Sequence, residues 1–178
     1  VSVSFSKAET VFEGYRDYTF SNPDSFVDTR KETIWEGYLG DDSKTVFYET
    51  LYAGDNIPGK LRAKFTSRIF EPSGAFSTAV KSFTYSPYER YVGLKLPKGD
   101  AARNMLLTDT KHTADVVLLE DDGTPVQNSS VYYTIYKIGW KWWWEKDAYT
   151  AATYVSGENY EQIDSGRVNI TDGKGSFS

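Results

Sequence analysis

Apolar and polar residues alternate with a period of two along most of this chain. That period fits strands with one covered face and does not fit helices. Leu61, Ala63, Phe65 and Ile69 alternate with Arg62, Lys64, Thr66 and Arg68, a half-buried strand with one wet, basic face. Val1, Val3 and Phe5 alternate with Ser2 and Ser4. Val92, Leu94 and Leu96 alternate with Tyr91, Gly93 and Lys95, and Val131, Tyr133 and Ile135 with Tyr132, Thr134 and Tyr136, followed by Ile138. Val46, Tyr48, Thr50 and Tyr52 alternate with Phe47, Glu49 and Leu51, which predicts a strand covered on both faces. From Ala114 to Leu119 the run is apolar except at Asp115. Turn signals separate these runs: Gly40-Asp41-Asp42-Ser43, Ile57-Pro58-Gly59, Pro72-Ser73-Gly74, Pro97-Lys98-Gly99-Asp100, Asp121-Asp122-Gly123 and Asp172-Gly173-Lys174-Gly175.

Short strands with turns between them predict an all-β chain of tandem antiparallel β-sandwiches, of immunoglobulin or fibronectin-type architecture. No long helix is expected. Ala101 to Leu107 is compatible with one helical turn, and Asp147 to Val155 with helix or strand. Ser86-Pro87 marks the expected boundary, because proline removes a backbone donor and holds its predecessor extended. The division gives one sandwich over residues 1–85 and a second over 86–178, each near the size of a seven-stranded sandwich. Arg167 to Ile170 reads as a strand, Thr171 to Gly175 as a hairpin turn and Ser176 to Ser178 as the start of a return strand. A second sandwich truncated at its last strand, in a segment of a larger multidomain protein, is the expectation.

The composition removes several function classes. There are 178 residues with a net charge of −5, no cysteine and one histidine, His112. Disulfides, thiol chemistry and thiolate metal sites are excluded, and so is a multi-histidine metal centre. Acidic residues outnumber basic ones on both sides of Tyr85, so phosphate-driven nucleic-acid binding is not expected. No apolar run is long enough to span a bilayer, so this segment is not expected to insert into a membrane. Five Trp, fourteen Tyr and ten Phe suit packing, interfaces or sugar stacking better than proton transfer.

Among candidate sites, Gly139-Trp140-Lys141-Trp142-Trp143-Trp144 is the most unusual. On a strand, Trp140, Trp142 and Trp144 share one face and Trp143 takes the other. These four aromatics are candidates for core packing, a contact with a neighbouring domain or partner, or a sugar platform. Arg62, Lys64 and Arg68 either bind an anion or form a solvated face neighboured by Glu36, Glu49 or Glu71. Asp41-Asp42, Asp121-Asp122 and Asp172 read as turn residues, because no Asp-x-Asp-x-Asp-Gly calcium loop is present. His112, with Asp109 and Asp115 nearby in sequence, lacks a Gly-x-Ser-x-Gly nucleophile elbow. Asn128-Ser129-Ser130 and Asn169-Ile170-Thr171 match the glycosylation sequon. No catalytic, cofactor, metal or thioester residue is assigned.

Three stretches carry a family resemblance. Pro58 to Gly74, Ser86 to Gly93 and Tyr136 to Trp144 resemble bacterial alpha-2-macroglobulin family proteins, the last being similar to that family's tryptophan-rich strand. Asp121-Asp122-Gly123-Thr124-Pro125-Val126 looks like a strand-turn-strand connection of the same family. The resemblance implies two macroglobulin-like sandwich domains acting as a non-catalytic scaffold of a protease-trapping endopeptidase inhibitor. Its partners are then the other domains of the parent chain and, through the full-length protein, proteases. The implied location is the periplasm or cell envelope, with lipoprotein anchoring through the parent chain. The family's Cys-Gly-Glu-Gln thioester is absent here, so covalent capture does not reside in this segment. The competing reading is a carbohydrate-binding or adhesive sandwich module that uses exposed aromatics.

Overall fold

A computed structural model describes residues 1–22, 25–103, 105–138 and 160–178. The described residues form antiparallel β-structure and no helix. The strands are β1 (Ser2–Lys7), β2 (Glu32–Thr33), β3 (Leu61–Phe70), β4 (Phe76–Tyr85), β5 (Arg90–Lys95), β6 (Ala114–Glu120), β7 (Ser129–Ile138), β8 (Tyr160–Ile170) and β9 (Lys174–Phe177). They assemble into a four-stranded sheet of order β2-β1-β3-β4, a three-stranded sheet β5-β6-β9 and a two-stranded ribbon β7-β8.

The first sheet follows directly from alternation. Val3, Phe5, Leu61 and Ala63 point to one face, where they form a core with Ala53 and with partly buried Val27, Ile34, Leu51 and Ile57. Leu61 is fully covered while its neighbour Arg62 is exposed, which is what a period of two requires of a one-sided sheet. β4 was not legible in the alternation. It pairs with β3 in continuous register from Leu61↔Tyr85 to Phe70↔Phe76, across the turn at Pro72-Ser73-Gly74. Nine of its ten residues are exposed, so cross-strand hydrogen bonds hold it rather than burial.

The second core explains the apolar run of β6. Val116 and Leu118 face Val168 and Ile170 of β8, with Val126 between them. Val117 and Leu119 face the other way, onto Phe12, Phe20 and Tyr91. A strand covered on both faces needs apolar residues at every position, and β6 is such a strand. Phe20 lies directly over Gly93, where an added Cβ would come within 2.5 Å of its ring and 2.7 Å of Val117 Cγ2. Only the absence of a side chain lets the aromatic approach this closely.

Three sequence expectations are corrected. Residues 46–52 form no strand ladder. The turn does form, with Gly40 N–H donating to the Lys44 carbonyl at 3.0 Å, and Trp35 stacks on Phe47 at 5.3 Å. Only Leu51 and Ala53 reach the first core, and Val46 and Tyr48 stay exposed, so burial on both faces is not achieved. The turn after β8 forms with Asp172 and Gly173 both at positive φ, as a two-residue hairpin turn requires. Its return strand, however, leaves β8 and pairs with β6, from Ala114↔Phe177 to Val117↔Lys174. Lastly, Ala101 to Arg103 form a turn, with Asp100 Oδ1 accepting the Ala102 and Arg103 N–H groups at 3.0 and 2.6 Å.

Candidate functional site

The most built-up region is the joint between the two cores. After β1, residues 8–22 do not stay with the first sheet. They cross to the second and pair with the edge of β5, where Thr19 and Leu94 exchange both backbone hydrogen bonds at 2.8 and 2.9 Å. Asp17 forms an ion pair with Lys95, whose ammonium also lies 5.6 Å from the Tyr18 ring centre. Phe12 and Phe20 meet edge to face at 4.8 Å, and Phe12 lies 5.5 Å from Tyr91. Such aromatic pairs contribute about 0.5–1.5 kcal/mol each beyond their burial.

Lys60 closes the joint from the other side. Its backbone N–H donates to Thr10 Oγ1 at 2.8 Å, and its ammonium donates to the Asp121 carbonyl at 2.8 Å. The same ammonium sits 4.4 Å from the Phe12 ring centre and 5.6 Å from that of Tyr91. Two further bonds cross the joint: the Tyr88 hydroxyl donates to the Ile57 carbonyl at 2.8 Å, and Asn22 N–H donates to the Pro58 carbonyl at 2.9 Å. The Ile57-Pro58-Gly59 turn thus reaches both Asn22 and Tyr88.

Tyr91 is the buried titratable group of this joint. Desolvation pushes its phenol above the ordinary value of 10.0, against a hydrogen bond with Ser86 Oγ at 2.9 Å that pulls it down. A raised folded-state value means that this contribution to stability is complete below about pH 10 and is lost as pH rises through the folded value. The thermal midpoint of the native chain is therefore expected to fall more steeply above pH 10 than that of Tyr91→Phe. Parallel curves would show that the phenol is not desolvated.

Beside the joint lies a cleft of about 360 Å³ lined by Ser86, Pro87, Tyr88, Glu89, Glu120 and Asp121. Arg90 pairs with Glu120 at 3.2 Å on its rim. The lining offers carboxylates and no amine, imidazole or thiol. His112 lies elsewhere. Its Nε2–H donates to the Leu107 carbonyl at 2.8 Å, and no hydrogen bond joins it to Asp109 or Asp115. Among the described residues no cluster of three or more acidic or histidine side chains is placed to hold a metal ion. Asp42 and Asp122 each accept a backbone N–H two residues on, the ordinary work of turn aspartates.

The basic face appears as read from the sequence. Arg62, Lys64 and Arg68 are exposed, and none forms an ion pair with Glu36, Glu49 or Glu71. Trp140, Trp142, Trp143 and Trp144 lie outside the described residues. Sequence reasoning missed the joint residues Phe12, Phe20, Lys60 and Tyr91. The available signal was the aromatic density of Phe12, Tyr15, Tyr18 and Phe20, which does not follow a period of two.

Residues 93–178 match the family model of bacterial macroglobulin domain 6. No curated protein and no solved structure matches the chain. The matched stretch runs from within β5 to the end of β9, and so contains the β6-centred core. The all-β antiparallel architecture is consistent with a macroglobulin-like β-sandwich, and residues 93–178 are similar to a bacterial macroglobulin domain.

Proposed function

We propose that this chain is a non-catalytic scaffold section of an alpha-2-macroglobulin-like protease-trapping inhibitor of the bacterial cell envelope. The observation that carries the reading is the match of residues 93–178 to bacterial macroglobulin domain 6. In this reading residues 1–85 and 86–178 are two macroglobulin-like domains. The parent chain places them in the periplasm or cell envelope, anchored as a lipoprotein. Their partners are neighbouring domains of that chain, and proteases are met through the full-length protein. No cofactor is required.

The joint is in keeping with such a role. A trap that rearranges after cleavage needs sections that move as bodies. Phe12, Lys60 and Tyr91 tie the two cores with buried rings, a cation over those rings and a hydrogen bond from that cation to the Asp121 carbonyl. These contacts resist bending between the cores without contributing chemistry.

The test uses the natural protein that contains this chain. It is incubated with endopeptidases, and turnover of a large protein substrate is followed beside that of a small chromogenic peptide. A trap suppresses the first and spares the second, because the caged protease still admits small molecules. Equal turnover of both substrates across several endopeptidases would contradict the proposal.

A further inference from the structure

The outer face of the first sheet is chemically one-sided. β1 places Ser2, Ser4 and Ser6 there; β3 places Arg62, Lys64, Thr66, Arg68 and Phe70; β4 places Phe76, Thr78, Val80, Ser82 and Thr84. With Thr33 of β2, the face carries three bases, eight hydroxyls and no carboxylate, in a chain with 25 acidic residues. The side chains of Arg62 and Lys64 make no ion pair or hydrogen bond among the described residues. Arg68 leans towards β4, with its guanidinium carbon 5.8 Å from the Phe76 ring centre.

This face ends at an open edge. Among the described residues β4 pairs with β3 alone, so its outward N–H and C=O groups have no ladder partner. The strand is ten residues long, contains no proline and carries a single charge, Lys81. Edge strands left this long and this bare are templates for another strand. A repeating row of alternating donors and acceptors is matched by a polypeptide backbone and not by a nucleic acid or a glycan.

We propose that the β4 edge accepts an extended segment of a partner protein whose alternate residues are acidic. An added strand would lie about 4.8 Å from β4 and about 10 Å from β3. Its carboxylates, on the outer side, would meet Arg62, Lys64 and Arg68 reaching across the short side chains of Ser82, Thr84 and Thr78. Its intervening side chains would lie on the other side, next to Phe83, which is 57% exposed. A second copy of the chain is a poorer occupant. Pairing β4 with β4 about a two-fold axis sets two basic faces side by side and supplies no countercharge.

Labelled ten-residue peptides of alternating Glu and Val, and of alternating Lys and Val, are titrated into the chain beside a single-stranded RNA ten-mer. Anisotropy reports binding, and amide hydrogen exchange reports residues 76–85. The Glu peptide is expected to bind, to weaken with salt and to slow exchange in β4. Combined Arg62→Glu, Lys64→Glu and Arg68→Glu is expected to raise its Kd about tenfold or more and to favour the Lys peptide. All three positions are exposed. If the combined variant does not fold, Lys64→Gln provides the same comparison, with a Kd increase of about two- to threefold. No binding of the Glu peptide, equal binding of the Lys peptide, or an unchanged Kd in the folded variant would overturn the proposal. So would tighter binding of RNA, binding without slower exchange in β4, or a stable dimer closed through β4.

Discussion

Replacing Phe12 with alanine lowers stability by about 3–5 kcal/mol, the range for a buried aromatic cut to a methyl group. Phe12 is 4% exposed and sits where the crossing segment meets the second core. Its loss opens a cavity against Phe20 and Tyr91 and removes the nearer ring beneath the Lys60 ammonium. The measurement is the denaturant midpoint, with the slope checked for constancy. A loss under about 1 kcal/mol, as for an exposed substitution, would show that residues 8–22 do not dock on β5 and β6.

Leu119→Ala is the second large effect, at about 2–5 kcal/mol. Leu119 has no exposed surface, lies opposite Tyr91 in the β5–β6 ladder and makes an isolated bridge with Pro125. The site has little room to collapse, because the other side of β6 is filled by Val126, Val168 and Ile170. Val46→Ala is the control. That residue is 79% exposed, and its truncation is expected to change stability by no more than about 0.5 kcal/mol. Equal effects at the two positions would refute the burial assigned to β6.

These contrasts show which parts of the fold the sequence discloses. β3 was legible because one face is buried and the other charged, so alternation in the chain mirrors alternation in space. β6 was legible for the opposite reason, since burial on both faces leaves an unbroken apolar run. β4 was not, because Phe76 and Val80 fall on one face and Phe83 on the other, and none of the three is buried. Pairing with β3 makes it a strand, and pairing leaves no mark in a single segment. In β8 only the buried end, Arg167 to Ile170, showed a strand pattern. The crossing of residues 8–22 was hidden for a related reason. Its anchors are aromatic rings spaced irregularly around turns, and their partners, from Tyr91 to Leu119, lie far along the chain. Residues 46–52 show the converse, a strand-like alternation that finds no ladder.

The candidate site divides in the same way. The exposed basic stripe was readable from alternation within one strand. The Lys60 joint was not, because it depends on which turns and rings come together from distant segments. The tryptophan run, prominent in the sequence, lies outside the described residues.

Phe12, Lys60 and Tyr91 join the two cores, so the chain is expected to unfold as one unit. Calorimetric unfolding of the chain tests it most directly, compared with Leu61→Ala in the first core and Leu119→Ala in the second. A single transition is expected, whose van't Hoff and calorimetric enthalpies agree and which both substitutions lower. Two resolved transitions, each moved by only one of the substitutions, would contradict it.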